Sequence, residues 1–161
     1  GKTGNSYEEK RARNMLTKLD KKKLVIDFHT FTCHSEPFAI IVDLLMLPLA
    51  SSLGVKHVVY MKYNVKEGHA LINHRQGVSV EVGRDDDSES FMTTRRIVRR
   101  LNKNIGPGNV RVYEVFGRIN EKGEYSNFVH QDGFVPVLYR DRPYGGEEFY
   151  GLKAKEITGT I

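Results

Sequence analysis

Two spacings of apolar residues alternate along this chain, one helical and one extended. Ala12, Met15, Leu16 and Leu19 fall on one helical stripe, with Glu8, Glu9, Arg11, Arg13 and Lys18 on the other faces. Ser6 to Leu19 is therefore predicted as a helix that packs on a sheet, opened by a candidate capping box of Ser6 and Glu9. The extended spacing follows at once. Leu24, Ile26 and Phe28 alternate with Val25, Asp27 and His29, which predicts a buried strand over Lys23 to Thr30. Asp27 and His29 share its second face at the carboxyl end, where an open α/β sheet displays chemistry. The plainer alternative is a histidine that caps the strand and bonds a loop.

The pattern continues with a strand over Phe38 to Val42, a helix over Leu44 to Leu53 and a strand over His57 to Met61. Pro48 fits that helix only near its first turn or at a kink, and Gly54 is placed to stop it. Strand, helix and strand with short links predict a parallel α/β sheet. His69 to Arg75 reads as a short helix or turn. Val78 to Gly83 is the clearest strand, with Val78, Val80 and Val82 on one face and Ser79 and Glu81 on the other. A carboxylate among valines is costly unless it is paired, hydrated or functional. Arg75 or Arg84 could neutralise it on a half-exposed strand.

Asp85, Asp86 and Asp87 favour a helix start, and the helix is predicted to run to about Lys103. Phe91, Thr94, Ile97, Val98 and Leu101 form its predicted buried stripe. Arg95, Arg96, Arg99 and Arg100 crowd the other side, where a solvated face is favoured over a nucleic-acid site because no aromatic platform accompanies them. Asn104 to Asn109 reads as a linker. Val110 to Ile119, Phe134 to Tyr139 and Gly151 to Thr158 are predicted strands. The expected fold is α/β, a mainly parallel or mixed sheet flanked by helices, with a small C-terminal antiparallel β unit. The expected division is 1–105 and 110–161.

Size and charge narrow the picture modestly. The 161 residues suit one domain, or one with a small appendage. A formal charge of +5 is compatible with an anionic substrate without selecting one. The single cysteine, Cys33, excludes an internal disulfide framework and a Cys-rich zinc site, and fits a reducing compartment. The longest apolar run, Phe38 to Ala50, contains Asp43 and Pro48 and is too short to span a bilayer. No signal peptide is evident, so a cytoplasmic location is expected. The opening Gly-Lys-Thr-Gly-Asn lacks an initiator Met and reads as the start of a fragment or processed form.

Asp27-Phe28-His29-Thr30, then Val80-Glu81-Val82-Gly83 some fifty residues on, then a β appendage, make an order of parts with a known counterpart. The chain resembles the succinylglutamate desuccinylase and aspartoacylase family of zinc-dependent amide hydrolases, related in fold to zinc carboxypeptidases. The resemblance implies that His29 is a zinc ligand, the third of a His-Glu-His set. It implies that Glu81 is the catalytic general base, with Asp27 orienting His29 from behind. It implies that Tyr144 is a substrate-binding residue at the mouth of the site. The implied cofactor is zinc and the implied partner a small anionic acyl-amino acid, with self-association allowed and neither membrane nor nucleic acid expected.

This chain departs from the family pattern in three places. It contains no His-x-x-Glu and no Asn-Arg pair, both of which belong upstream of where it begins. Leu71 stands near the place of an arginine that holds substrate carboxylate in some aspartoacylases. A site improvised from His29, His34 and Glu36 is a further expectation, as is a scaffold or binding protein that keeps the hydrolase fold without its metal.

Overall fold

A computed structural model describes residues 7–19, 24–62, 70–141 and 150–157. Helix α1 spans Tyr7–Lys18 and strand β1 Val25–Phe31. Strand β2 (Phe38–Ile41) leads through a 3-10 turn at Leu44–Met46 into α2 (Leu47–Ser52) and β3 (His57–Tyr60). A second 3-10 turn, Leu71–Asn73, precedes β4 (Gly77–Arg84) and α3 (Glu89–Asn102). The chain continues as β5 (Arg111–Ile119), β6 (Val135–Val137) and β7 (Gly151–Ile157). Ser6, His69 and Tyr144, all named above, lie outside the described residues, and so do the predicted capping box and substrate tyrosine.

The strands form one seven-stranded mixed sheet in the order β1-β4-β2-β3-β5-β7-β6. Pairs β1–β4, β2–β3 and β3–β5 are parallel, while β2–β4, β5–β7 and β6–β7 are antiparallel. Residues 111–157 thus extend the same sheet: β5 lies beside β3, and β7 and β6 follow it outward. No helix among the described residues is long and apolar enough to cross a membrane.

Alternation along the central strands divides the core in two. Ala39, Ile41, Val58, Val78, Val80 and Val82 pack with Ala50 and Leu53 around α2 and with Ile97 of α3. Phe38, Ile40, Val59 and Tyr113 turn to the other face, with Phe31, Cys33, Phe128 and Leu138. Both faces are covered, and β2 reads as a continuous apolar run, whereas β4 alternates valines with Ser79 and Glu81.

Three sequence expectations need correction. Strand β1 is only partly buried because it lies at the sheet edge: Val25 and Phe31 are buried, His29 and Thr30 are exposed, and Leu24, just before it, is 55% exposed. In α1, Met15 is exposed rather than buried; Arg75 Nη2 holds this helix by donating to the Leu16 carbonyl at 2.7 Å. In α3 the buried positions are Ser90, Thr93 and Ile97, while Phe91 is 70% exposed and Val98 also faces out.

The α3 register has a local cause. Ser90 Oγ donates to the Arg84 carbonyl at 2.6 Å, and Gly83 has φ +141. A Cβ on Gly83 would sit 2.6 Å from Ser90 Oγ. Small residues at this crossing bring the helix close to β4, and the larger apolar side chains rotate outward. Asp87 Oδ1 accepts from the Glu89 N–H at 2.9 Å, just ahead of the helix. Arg100 leaves the predicted solvated face and packs against Gly54, donating from Nε to the Ser52 carbonyl at 3.1 Å.

Candidate active site

Strands β1 and β4 run parallel with His29 opposite Glu81 and Asp27 opposite Ser79. Directly opposed residues in a ladder project to the same face, so His29 and Glu81 share one side of the sheet. On the other flank of β4, Glu81 is the antiparallel partner of Phe38, which assigns this side to the Phe31, Phe38 and Phe128 core. Glu81 is 8% exposed, whereas the side chain of His29 at the sheet edge is 46% exposed. Asp27 Oδ2 lies 2.8 Å from His29 Nε2. The two residues sit two apart on one strand face, and this contact fixes which ring nitrogen meets the carboxylate.

Just beyond the pair the ladder becomes irregular. From His29 to Phe31 strand β1 advances two residues, while β4 advances three, from Glu81 to Arg84. The extra residue is absorbed where Gly83 takes positive φ, a conformation natural to glycine. The Asp85 N–H then closes on the Phe31 carbonyl at 3.0 Å.

The loop after β1 is bonded to the far end of the sheet. Thr32 donates from both its N–H and its hydroxyl to Asp141 Oδ1, each at 2.8 Å. Asn127 Nδ2 donates to the His34 carbonyl at 2.8 Å, and Asn127 Oδ1 accepts from the Tyr139 N–H at 2.8 Å. Cys33 lies buried between these ties. Its thiol is pushed up to about 12, first by burial and then by the negative charge of Asp141, with Glu81 adding to it. Asp141 and Glu81 are therefore each within electrostatic reach of Cys33.

His34 and Glu36 do not join His29. Glu36 accepts from Lys56 Nζ at 2.7 Å and meets His57 Nε2 at 3.2 Å. His34 Nε2 lies 3.4 Å from Arg84 Nη1. The improvised site is overturned: among the described residues no group of three His, Cys, Asp or Glu is arranged to hold a metal. His57 is structural, stacked on Phe128 with ring centroids 4.2 Å apart. Burial pushes its imidazole down, and neighbouring Glu36 only partly opposes that. The Glu36 carboxyl is held below its ordinary value, chiefly by the Lys56 hydrogen bond.

The arginines considered as partners for Glu81 have other bonds. Arg84 makes a two-pronged contact with Asp86, at 2.8 and 2.5 Å. Arg75 donates to the carbonyls of His74 and Leu16. A cavity of about 620 Å³ opens beside α3, lined by Val82, Arg84, Ser90, Thr93 and Arg96, and neither His29 nor Glu81 lines it. It lies on the helix-covered face with Val82.

A catalytic zinc ion needs three protein ligands and an open position. The described residues fit one part of that requirement, a single imidazole backed by a carboxylate, and do not supply a full ligand set.

Sequence reasoning missed Asp141, Thr32 and Asn127. An aspartate in an Arg-rich, Pro- and Gly-containing stretch has no local mark of burial.

No protein-family model matches the sequence, and no curated protein matches it. Solved structures match it in fold. Succinylglutamate desuccinylase from Chromobacterium violaceum aligns with 96% of this chain and 60% of its own, at 14% identity and a TM-score of 0.59. Murine aminoacylase 3 aligns with 98% of this chain and 72% of its own, at 16% identity and a TM-score of 0.64. Succinylglutamate desuccinylase from Vibrio parahaemolyticus aligns with all of this chain and 64% of its own, at 13% identity and a TM-score of 0.64. The chain thus has the α/β fold of these structures and spans about 60% of the length of the first. The resemblance read from Asp27-Phe28-His29-Thr30 and Val80-Glu81-Val82-Gly83 points to the same structures.

Proposed function

We propose that this chain carries part of the active site of a zinc-dependent amide hydrolase of the succinylglutamate desuccinylase and aspartoacylase family. The substrate would be a small N-acyl amino acid. The observation that carries this reading is the pairing of His29 with Glu81 across β1 and β4, on one sheet face, in a fold shared with those enzymes. His29 would hold the ion together with donors from outside the described residues, and Asp27 would orient its ring. When bound, zinc supplies Lewis-acid activation of water and of the scissile carbonyl. Glu81 takes a proton from the attacking water and returns it to the leaving amine nitrogen as the C–N bond breaks. The apolar wall around Glu81, with Phe31 and Phe38 on its face, limits water around that carboxylate. Tyr144 would contact the substrate, and a cytoplasmic location fits the single reduced cysteine.

The test is zinc stoichiometry and N-acyl-amino-acid hydrolysis measured on the longest natural form of the protein. The expected result is one zinc per chain and turnover that falls about 10²- to 10⁴-fold in Glu81→Gln with zinc retained. Full turnover in that variant would remove Glu81 as the base. The absence of any three-donor cluster among the described residues favours a second reading, a metal-free scaffold or binding protein with this fold. Zinc at background level in the longest form would select it.

A further inference from the structure

Asp141 is 5% exposed, one of the few buried charged residues described in the chain. Burying a carboxylate is costly unless it is well bonded. Here one oxygen collects two donors from a single residue, Thr32, through both its N–H and its hydroxyl at 2.8 Å. These are charge-assisted bonds of the stronger kind. The backbone leading into Asp141 is unusual. Leu138 has φ 54 and Arg140 φ 62, left-handed conformations that are costly for a residue with a Cβ. Such strain persists only where the surroundings enforce it, and it concentrates around functional sites. The Tyr139 N–H between them is held by Asn127, which also grips the His34 carbonyl. Two ties thus bind the loop after β1 to the end of β6, on the core face that carries Glu81.

We propose that Asp141 is a positioning residue for the His29–Glu81 site: by clamping Thr32, it fixes where β1 ends and so how His29 is presented to Glu81. This rests on the function proposed above. Thr32 directly follows Phe31, the last residue of β1, whose carbonyl meets Asp85 on the far side of the irregular ladder. The end of β1 is therefore held from two sides, by Asp85 through the Phe31 carbonyl and by Asp141 through Thr32. Loosening the second hold leaves the Asp85 bond at the strand end itself and, two residues beyond Thr32, the Asn127 bond to the His34 carbonyl.

The test compares Asp141→Ala, Thr32→Val and Thr32→Ser in the longest natural form of the protein, with two readouts. The first is steady-state hydrolysis of an N-acyl amino acid. Asp141→Ala, which removes the acceptor of both bonds, should lower kcat at least tenfold. Thr32→Val, which keeps the N–H bond and loses the hydroxyl bond, should lower it by a smaller factor, and Thr32→Ser, which keeps both donors, should retain it. KM should change less than threefold in each. The double variant Thr32→Val with Asp141→Ala should lose no more than Asp141→Ala alone, because both act on one clamp. The second readout is the rate of Cys33 alkylation by iodoacetamide, which needs no turnover. Asp141→Ala removes a charge that disfavours the thiolate and should raise that rate several-fold. Unchanged kcat in Asp141→Ala, with Cys33 reacting faster, would overturn the positioning role while leaving the hydrolase reading intact. An inactive parent protein would instead overturn the hydrolase reading, and with it this role. If Asp141→Ala does not fold, Thr32→Val against Thr32→Ser decides the matter through the kcat split alone.

Discussion

His29 and Glu81 stand directly opposite one another across the parallel β1–β4 ladder, on the face of the sheet that also carries Phe38. The arrangement separates two environments. His29 sits at the sheet edge, 46% exposed at its side chain, where a ligand can approach. Glu81 lies one strand inward and is 8% exposed. In the function proposed above, the accessible imidazole would bind the ion and the sheltered carboxylate would move the proton.

Asp27 bonds the His29 ring at 2.8 Å. A carboxylate behind a ligating imidazole fixes its tautomer and raises its basicity. If the longest form binds zinc as proposed above, Asp27→Asn should weaken that binding by about 10- to 100-fold without lowering the thermal midpoint of the zinc-free protein by more than a few degrees. Competition with a chromophoric chelator measures the first and differential scanning fluorimetry the second. Undiminished zinc affinity would remove Asp27 from the site.

Gly83 lies in the β4 irregularity with φ +141, and a Cβ there would meet Ser90 Oγ. Gly83→Ala should therefore destabilise the fold by about 1–3 kcal/mol, through strain and loss of the Ser90 contact. Chemical denaturation would reveal this as a lower midpoint at constant slope. A neutral result would mean that β4 and α3 separate at little cost.

Two substitutions on α3 distinguish the observed register from the predicted one. Ile97 is 2% exposed, so Ile97→Ala should cost about 2–5 kcal/mol. Phe91 is 70% exposed, so Phe91→Ala should change stability by no more than about 0.5 kcal/mol. The sequence stripe placed both in the core. Equal losses would restore that placement.

The pH response should be one-sided. Burial pushes His57 below its ordinary value near 6.5, so the unfolded chain takes up a proton on acidification before the folded chain does. The stability that His57 contributes is complete above that ordinary value and is lost as pH falls toward the depressed one. Glu36, held below its ordinary 4.5, acts in the same sense at lower pH. The thermal midpoint should fall between pH 7.5 and 5.5. His57→Phe should flatten that fall, since a phenyl ring can keep the stack on Phe128. An unaltered pH slope in His57→Phe would assign the titration to another group.

The central strands β2, β3 and β4 were legible in the sequence because their apolar runs are local and bounded by polar turns. The face shared by Asp27 and His29, and the segregation of Glu81 from Val80 and Val82, followed from a two-residue period that needs no tertiary information. The candidate site was legible for the same reason: its residues lie on strands whose alternation sets direction. Long-range matters were not. Whether β1 is central or at the edge depends on which strand pairs beside it, and no property of Val25–Phe31 records that. The stripe on α3 failed because apolar spacing ranks Phe91 and Val98 above Ser90 and Thr93, whereas the close crossing at Gly83 admits only the small pair.

By itself, the sequence determined the fold class, the strand directions of its chemistry-bearing residues and the family they resemble. Only the tertiary structure decided that His29 and Glu81 are neighbours, that His34 and Glu36 are drawn away to Arg84, Lys56 and His57, and that Asp141 is buried on Thr32. Alternation within a strand is a local steric property of the backbone. Pairing between distant segments is settled by which arrangement of the whole chain buries its apolar faces and satisfies its polar groups together.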